Sequence, residues 1–297
     1  MTLQKITDNI IGKLADINNP DYAYIPMYDK QLPSVQTLRE IIDLLREIIF
    51  PGFFGNPAVR ENTVQYHIGV NMEKLYSLLF EQIYRALTFE ADGADFKKIA
   101  EEKTLFLIER IPEIKRLLST DIKAMHDNDP AAKNFGEIIF CYPAIKALLN
   151  YRIAHELFIS KIPLIPRIIT EMASTETGIE IHPGAVIGED FSIDHGTGIV
   201  IGGTAIIGNH VLLYQGVTLG AKNFVLDESG NPMDIPRHPV LEDNVTVYSN
   251  SSILGRITIG KGTIIGGNVW LTHSVPQNSR ILQTKAVEDS FVNGLGI

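Results

Sequence analysis

Apolar residues return at every sixth position through the middle of the chain: Ile181, Ile187, Ile193, Ile199, Ala205, Val211 and Val217. A helix repeats near 3.6 residues and a strand at 2, so neither accounts for the spacing. A six-residue repeat with glycines between the apolar positions belongs to a parallel β-solenoid, each hexad supplying one short strand and a corner. The repeat stops after Lys222 and restarts in a shifted phase with Pro239, Val245, Ser251, Ile257, Thr263, Val269 and Val275, so residues 223–238 are an insertion that loops out. In the left-handed form three hexads close one triangular turn, so residues about 18 apart are expected to stack into an Ile and Val ladder. Ser251 and Thr263 are its weakest rungs.

Before about Ala173 the period changes to that of helices, in pieces separated by Asn19-Pro20, Pro51-Gly52, Ala91-Asp92-Gly93 and Asp129-Pro130. Ser34 can cap a helix carrying Leu38, Ile41, Ile42, Leu45 and Ile48, which stops at Pro51. Further helices are expected over 64–87 and 96–111. A short one capped by Ser119 or Thr120 should end near Asn128, and two more should cover 142–160 and 164–172. His67 and Cys141 are expected to pack in this half. The last helices feed straight into the solenoid and should cover its open end, where a bare coil would expose unpaired backbone.

The expected class is α + β: an N-terminal α-helical domain over 1–176, a left-handed parallel β-helix over 177–280 with a protruding loop at 223–238, and a tail over 281–297. At 297 residues, 45% hydrophobic and 21% charged, the chain has the composition of a soluble globular protein with room for two domains. A formal charge of -9 argues against nucleic-acid binding, which needs a basic surface. No apolar run is long enough to span a bilayer. The amino terminus lacks the apolar core of a signal peptide and there is a single cysteine, Cys141, so a cytoplasmic location is expected.

Within the solenoid, charged residues and histidines concentrate at Glu180-Ile181-His182, Asp194-His195, His210 and Arg237-His238. Glu180 and His195 are close enough to one turn apart to reach the same corner on neighbouring coils. A carboxylate beside an imidazole sets its tautomer and raises its basicity, which suits removal of a proton from a hydroxyl nucleophile. His195 is therefore the candidate base. His182, His210 and His273 are assigned structural roles.

These residues resemble the serine O-acetyltransferases of cysteine biosynthesis, members of the hexapeptide-repeat acyltransferases. The matching stretches are Asp129-Pro130-Ala131, Tyr151-Arg152-Ile153-Ala154-His155, Ile181-His182-Pro183, Asp194-His195-Gly196-Thr197-Gly198, Gln215-Gly216-Val217-Thr218-Leu219-Gly220 and Arg237-His238-Pro239. The resemblance implies direct transfer of acetyl from acetyl-CoA to the L-serine hydroxyl, giving O-acetylserine without an acyl-enzyme. It makes His195 the base and Glu180, where the family usually has Asp, its carboxylate partner.

Asp129, Asp194, Arg237 and His238 match the serine-binding positions: Arg suits the substrate carboxylate and the two Asp its ammonium. Ala221, Ser249 and Gly267 match positions along the acetyl-CoA groove, which the family forms between subunits. A homo-oligomer, trimer or dimer of trimers, is therefore implied. Ile264 replaces a family basic residue, which leaves Lys222, Lys261 and Arg280 as candidates for the CoA phosphates. The tail lacks the family's Gly-Val-Pro-Ala-Arg run, while the final Ile297 is compatible with docking into O-acetylserine sulfhydrylase.

Two other chemistries fit part of the pattern. A zinc site similar to that of the γ-class carbonic anhydrases would need His195, His210 and His238 to converge, but the paired histidines of that family are missing and no metal is expected. An acyltransferase with another acceptor, homoserine or a sugar, would keep His195, although the matches in the helical half favour serine.

Overall fold

The computed structural model describes residues 2–16, 19, 30–55, 59–90, 95–223, 225–231, 233 and 235–284. Among the described residues seven helices lead: α1 (Leu3–Leu14), α2 (Val35–Ile49), α3 (Val64–Glu90), α4 (Phe96–Asn128), α5 (Phe135–Cys141), α6 (Pro143–Ile159) and α7 (Ile165–Thr177). The Ser34 hydroxyl accepts the Thr37 N–H at 3.2 Å and caps α2, whose Leu38, Ile41, Leu45 and Ile48 are buried as one stripe.

The break expected between residues 111 and 119 is absent. α4 runs unbroken through Pro112, and the Ser119 and Thr120 hydroxyls donate back to Lys115 O and Leu117 O instead of capping a new helix. Leu107, Ile111, Ile114, Leu118 and Ile122 form one buried stripe across the proline, so burial outweighs the lost hydrogen bond. Cys141, expected to pack, is exposed.

Fourteen short strands follow among the described residues: β1 (Glu180–Ile181), β2 (Val186–Ile187), β3 (Ser192–Asp194), β4 (Val200–Ile201), β5 (Ile206–Ile207), β6 (Leu212–Tyr214), β7 (Thr218–Gly220), β8 (Val240–Leu241), β9 (Thr246–Val247), β10 (Ser252–Leu254), β11 (Thr258–Ile259), β12 (Ile264–Ile265), β13 (Trp270–Leu271) and β14 (Arg280–Ile281). They make three parallel faces: β1-β4-β7-β10-β13, β2-β5-β8-β11 and β3-β6-β9-β12-β14. The helical half followed by a left-handed β-helix is the architecture expected from the sequence. The loop over 223–238 leaves between β7 on the first face and β8 on the second, so it interrupts a coil at a corner without disturbing the faces.

The stacking interval departs from the simple repeat. Ser252 pairs with Trp270 and Val200 with Thr218, each eighteen residues on, but Glu180 pairs with Val200 and Asp194 with Tyr214, twenty on. The first coil is two residues longer, and the excess lies in the corner 195–198, where His195, Gly196 and Gly198 all have positive φ. The six-residue series therefore slips by two positions at this corner: the column of Ile181 is continued by Ile201, and Ile199 falls two residues short of it. The weak rungs are buried and satisfied. Ser251 Oγ donates to Gly266 O at 2.7 Å, and Thr263 Oγ1 donates to Pro276 O at 3.1 Å.

The helical half is tied to the first coil through buried polar bonds. Arg152 on α6 meets the Asp121 carboxylate on α4 at 2.7 and 2.8 Å and donates to Gly188 O at 2.9 Å, while Asp121 also accepts the Phe191 N–H at 3.1 Å. Burial pushes the Asp121 carboxyl up, and Arg152 opposes that shift. The Tyr151 hydroxyl donates to Ala185 O at 2.7 Å. α7 ends at Gly178, whose φ of 69° turns the chain into β1 and presents Gly178 O to the Gly198 N–H. That bond seats the lengthened corner on the last turn of helix. Residues 285–297, which carry the proposed tail contact, lie outside the described residues.

Candidate active site

His195 stands on the lengthened corner between the third and first faces. Its φ of 56° turns the side chain out of the prism, and the ring is 76% exposed. Nε2 lies 3.5 Å from Asp194 Oδ1, an ion-pair distance. The helical half supplies the next group, because α4 ends at Asp129 beside this corner and a nook forms between Asp129, Tyr142, Ser192 and Asp194. Asp129 Oδ1 accepts the Ala131 N–H at 2.8 Å and Oδ2 accepts the Tyr142 hydroxyl. The Tyr142 bond is the main cause that holds the Asp129 carboxyl below its ordinary range, and the same bond pushes the phenol up to about 12.

A second cluster occupies the corner between the first and second faces. A cleft of about 850 Å³ is lined there by Glu180, His182, Thr204, Ala221, Arg237 and His238 among others. Thr204 organises the returning loop. Its hydroxyl accepts the Arg237 and His238 N–H groups at 2.9 and 3.1 Å, and its own N–H donates to His238 Nδ1 at 3.1 Å. A proton on Nε2 follows for His238. Only glycine fits at 202, since a Cβ there would come within 2.0 Å of His238 Cδ2. His182 Nδ1 likewise accepts the Gly184 N–H at 2.9 Å, and burial lowers this imidazole to about 4. Burial also lowers His238, with Arg237 and Arg256 adding to the effect.

The predicted site residues therefore fall into two groups on one chain. Asp129, Asp194 and His195 share one edge, with Ser249 and Gly267 on the same corner column above them. Gly267 sits where a Cβ would be 3.3 Å from Ser249 O. Arg237, His238 and Ala221 share the other edge. Glu180 opens β1 on the face between the edges and lines the cleft, and among the described residues no hydrogen bond or ion pair joins it to His195.

Of the phosphate candidates, Lys222 lies near the base of the loop, Lys261 is 3.7 Å from Asp243 on the third corner, and Arg280 is exposed on β14. His210 is also on the third corner, 3.2 Å from Asp190, so His195, His210 and His238 stand on three different corners. Among the described residues no group of three or more His, Cys, Asp or Glu side chains is placed to hold a metal ion.

Sequence reasoning missed Tyr142, Thr204 and the groove position of His182. The signal for Tyr142 was its place before Pro143, where a helix must restart.

A left-handed β-helix built in six-residue steps, with an exposed imidazole beside two carboxylates, points to a hexapeptide-repeat acyltransferase. The model of bacterial transferase hexapeptide repeats matches residues 238–273. A plasmid serine acetyltransferase of Synechococcus elongatus is 45% identical over 98% of this chain and 94% of its own length, and the serine acetyltransferase of Bacillus subtilis is 42% identical over 56% of this chain. Among solved structures, serine acetyltransferase 1 of Entamoeba histolytica in complex with L-cysteine aligns with a TM-score of 0.72 and 34% identity, over 86% of this chain and 89% of that one. The chain belongs to the serine acetyltransferase family. Its reaction is acetylation of serine, with acetyl-CoA as the family's co-substrate.

No described helix is long and apolar enough to cross a membrane.

Proposed function

We propose that His195 removes the serine hydroxyl proton as serine Oγ attacks the acetyl carbonyl of acetyl-CoA. The new Oγ–C bond forms, the thioester C–S bond breaks, and the imidazolium returns the proton to the departing CoA thiolate, so no acyl-enzyme is required. The observation that carries this reading is the lengthened corner, which lifts His195 clear of the prism beside Asp194 and Asp129. The two carboxylates hold the substrate ammonium, and Arg237 with His238 holds its carboxylate.

Because these groups lie on two edges of one prism, the complete site joins the His195 edge of one protomer to the Arg237 edge of the next. This supports a trimeric unit. Ser249 and Gly267 from the first edge and Ala221 from the second then flank the acetyl-CoA groove, and Glu180 orients the base from the shared face. The apolar loop residues Val225, Leu226 and Met233, all exposed, extend from the Arg237 edge toward that neighbour. A cytoplasmic setting is in keeping with one exposed thiol at Cys141.

Thiol release from acetyl-CoA with L-serine, and with homoserine and simple sugars as controls, tests the acceptor. Co-expression tests the shared site: His195→Ala and Arg237→Ala chains, each weak alone at low serine, should regain activity as mixed oligomers. Additive weakness in the mixture would place all groups within one protomer.

A further inference from the structure

Asp129 is held by a residue that the substrate scheme leaves unused. Tyr142 occupies the junction of α5 and α6, where its N–H donates to Ile138 O and its carbonyl accepts the Ile145 N–H, each at 3.2 Å. Pro143 follows at the first turn of α6 and restricts the backbone before it. From this fixed point the phenol reaches across thirteen residues to Asp129 Oδ2, while Ala131 N–H holds Oδ1. Each carboxylate oxygen thus has one donor from the protein and keeps a lone pair for another. The nook they share is completed by Asp194, one residue from His195.

Without the phenol, Asp129 would keep only its local bond to Ala131, two residues away, and the carboxylate could turn about its own side-chain bonds. With it, both oxygens are aimed before any substrate arrives. Orientation of this kind adds affinity because the ordering is complete in the free enzyme.

We propose that Tyr142 is a positioning residue for serine: by fixing Asp129 toward the substrate ammonium it sets serine affinity without touching the substrate. This rests on Asp129 being a serine-binding group.

Tyr142→Phe keeps the ring and removes the donor. The serine KM should rise about tenfold or more, as for loss of a hydrogen bond to a charged group. The kcat should stay within about threefold, and the acetyl-CoA KM should not move. In an Asp129→Ala background the same substitution should add nothing, since two residues acting through one contact do not add. An unchanged serine KM in Tyr142→Phe overturns the inference, and so does a further rise in the Asp129→Ala background, which would place Tyr142 on the substrate itself. A parallel fall in kcat and thermal stability with no selective rise in serine KM overturns it as well, by making the role structural. Should Asp129→Ala alone leave the serine KM unchanged, it is the binding role of Asp129 that fails.

Discussion

Two histidines of the solenoid share a backbone conformation and differ in everything around it. His195 and His210 both have φ of 56°, and both stand beside an aspartate, Asp194 at 3.5 Å and Asp190 at 3.2 Å. By local geometry alone either could serve as a base. His210 occupies an ordinary tight corner between β5 and β6, where its N–H donates to Glu189 O and the charged groups around it, Asp190 and Asp243, come from neighbouring coils of the solenoid itself. His195 occupies the corner lengthened by two residues, and the end of α4 brings Asp129 and Tyr142 against it. Under the proposed mechanism an acid next to an imidazole is therefore insufficient: a third group has to hold the substrate, and the helical half offers Asp129 for that role.

The largest effect expected from breaking this contrast is on turnover. His195→Ala should lower kcat by roughly 10²-fold or more, the usual contribution of a general base. Retention of more than about a tenth of the activity would remove His195 from that role.

Next comes the joint that brings Asp129 to the corner. Asp121→Ala leaves Arg152 buried and unpaired, which should cost about 3–5 kcal/mol of stability in denaturant unfolding. A loss below about 1 kcal/mol would mean that the helical half is held by apolar packing alone.

Glu180→Gln should lower kcat by roughly tenfold or less, since the remaining base can still accept the proton. No change would exclude Glu180 as the partner of His195 in the assembled site.

A smaller effect concerns the opposite edge. His182 is lowered from its ordinary 6.5 to about 4, so between these values the unfolded chain binds more protons than the folded one. Its contribution to stability is complete above 6.5 and falls as the pH drops toward 4. The denaturation midpoint should thus decline less over that window in His182→Gln than in the parent chain; equal declines would locate the acid sensitivity elsewhere.

The smallest effect closes the comparison. His210→Ala should leave kcat within about twofold, and a loss comparable to that of His195→Ala would erase the distinction between the two corners.

Much of this organisation was legible in the residues. The period of six announced the solenoid, Pro239 marked the return of the loop, and Asp194-His195 and Arg237-His238 stood out against a ladder of Ile and Val. The continuity of α4 was not legible, because Pro112 and the Ser119-Thr120 pair look like a boundary until Ile111, Ile114 and Leu118 are seen buried on one side. Nor was the lengthened corner, since Ile193 and Ile199 keep the six-residue spacing although the column of Ile181 passes to Ile201, two residues beyond Ile199.

What the sequence determined on its own was the kind of fold and the chemical inventory, because periodicity follows from which side chains must be buried, whatever their distant partners. The three-dimensional arrangement alone decided which imidazole lies near a carboxylate from the helical half. It also separated Arg237 from His195 onto two edges of the prism and placed Tyr142 on Asp129. Those relations depend on where chain segments far apart in sequence come to rest, and side-chain spacing along the chain carries no record of that.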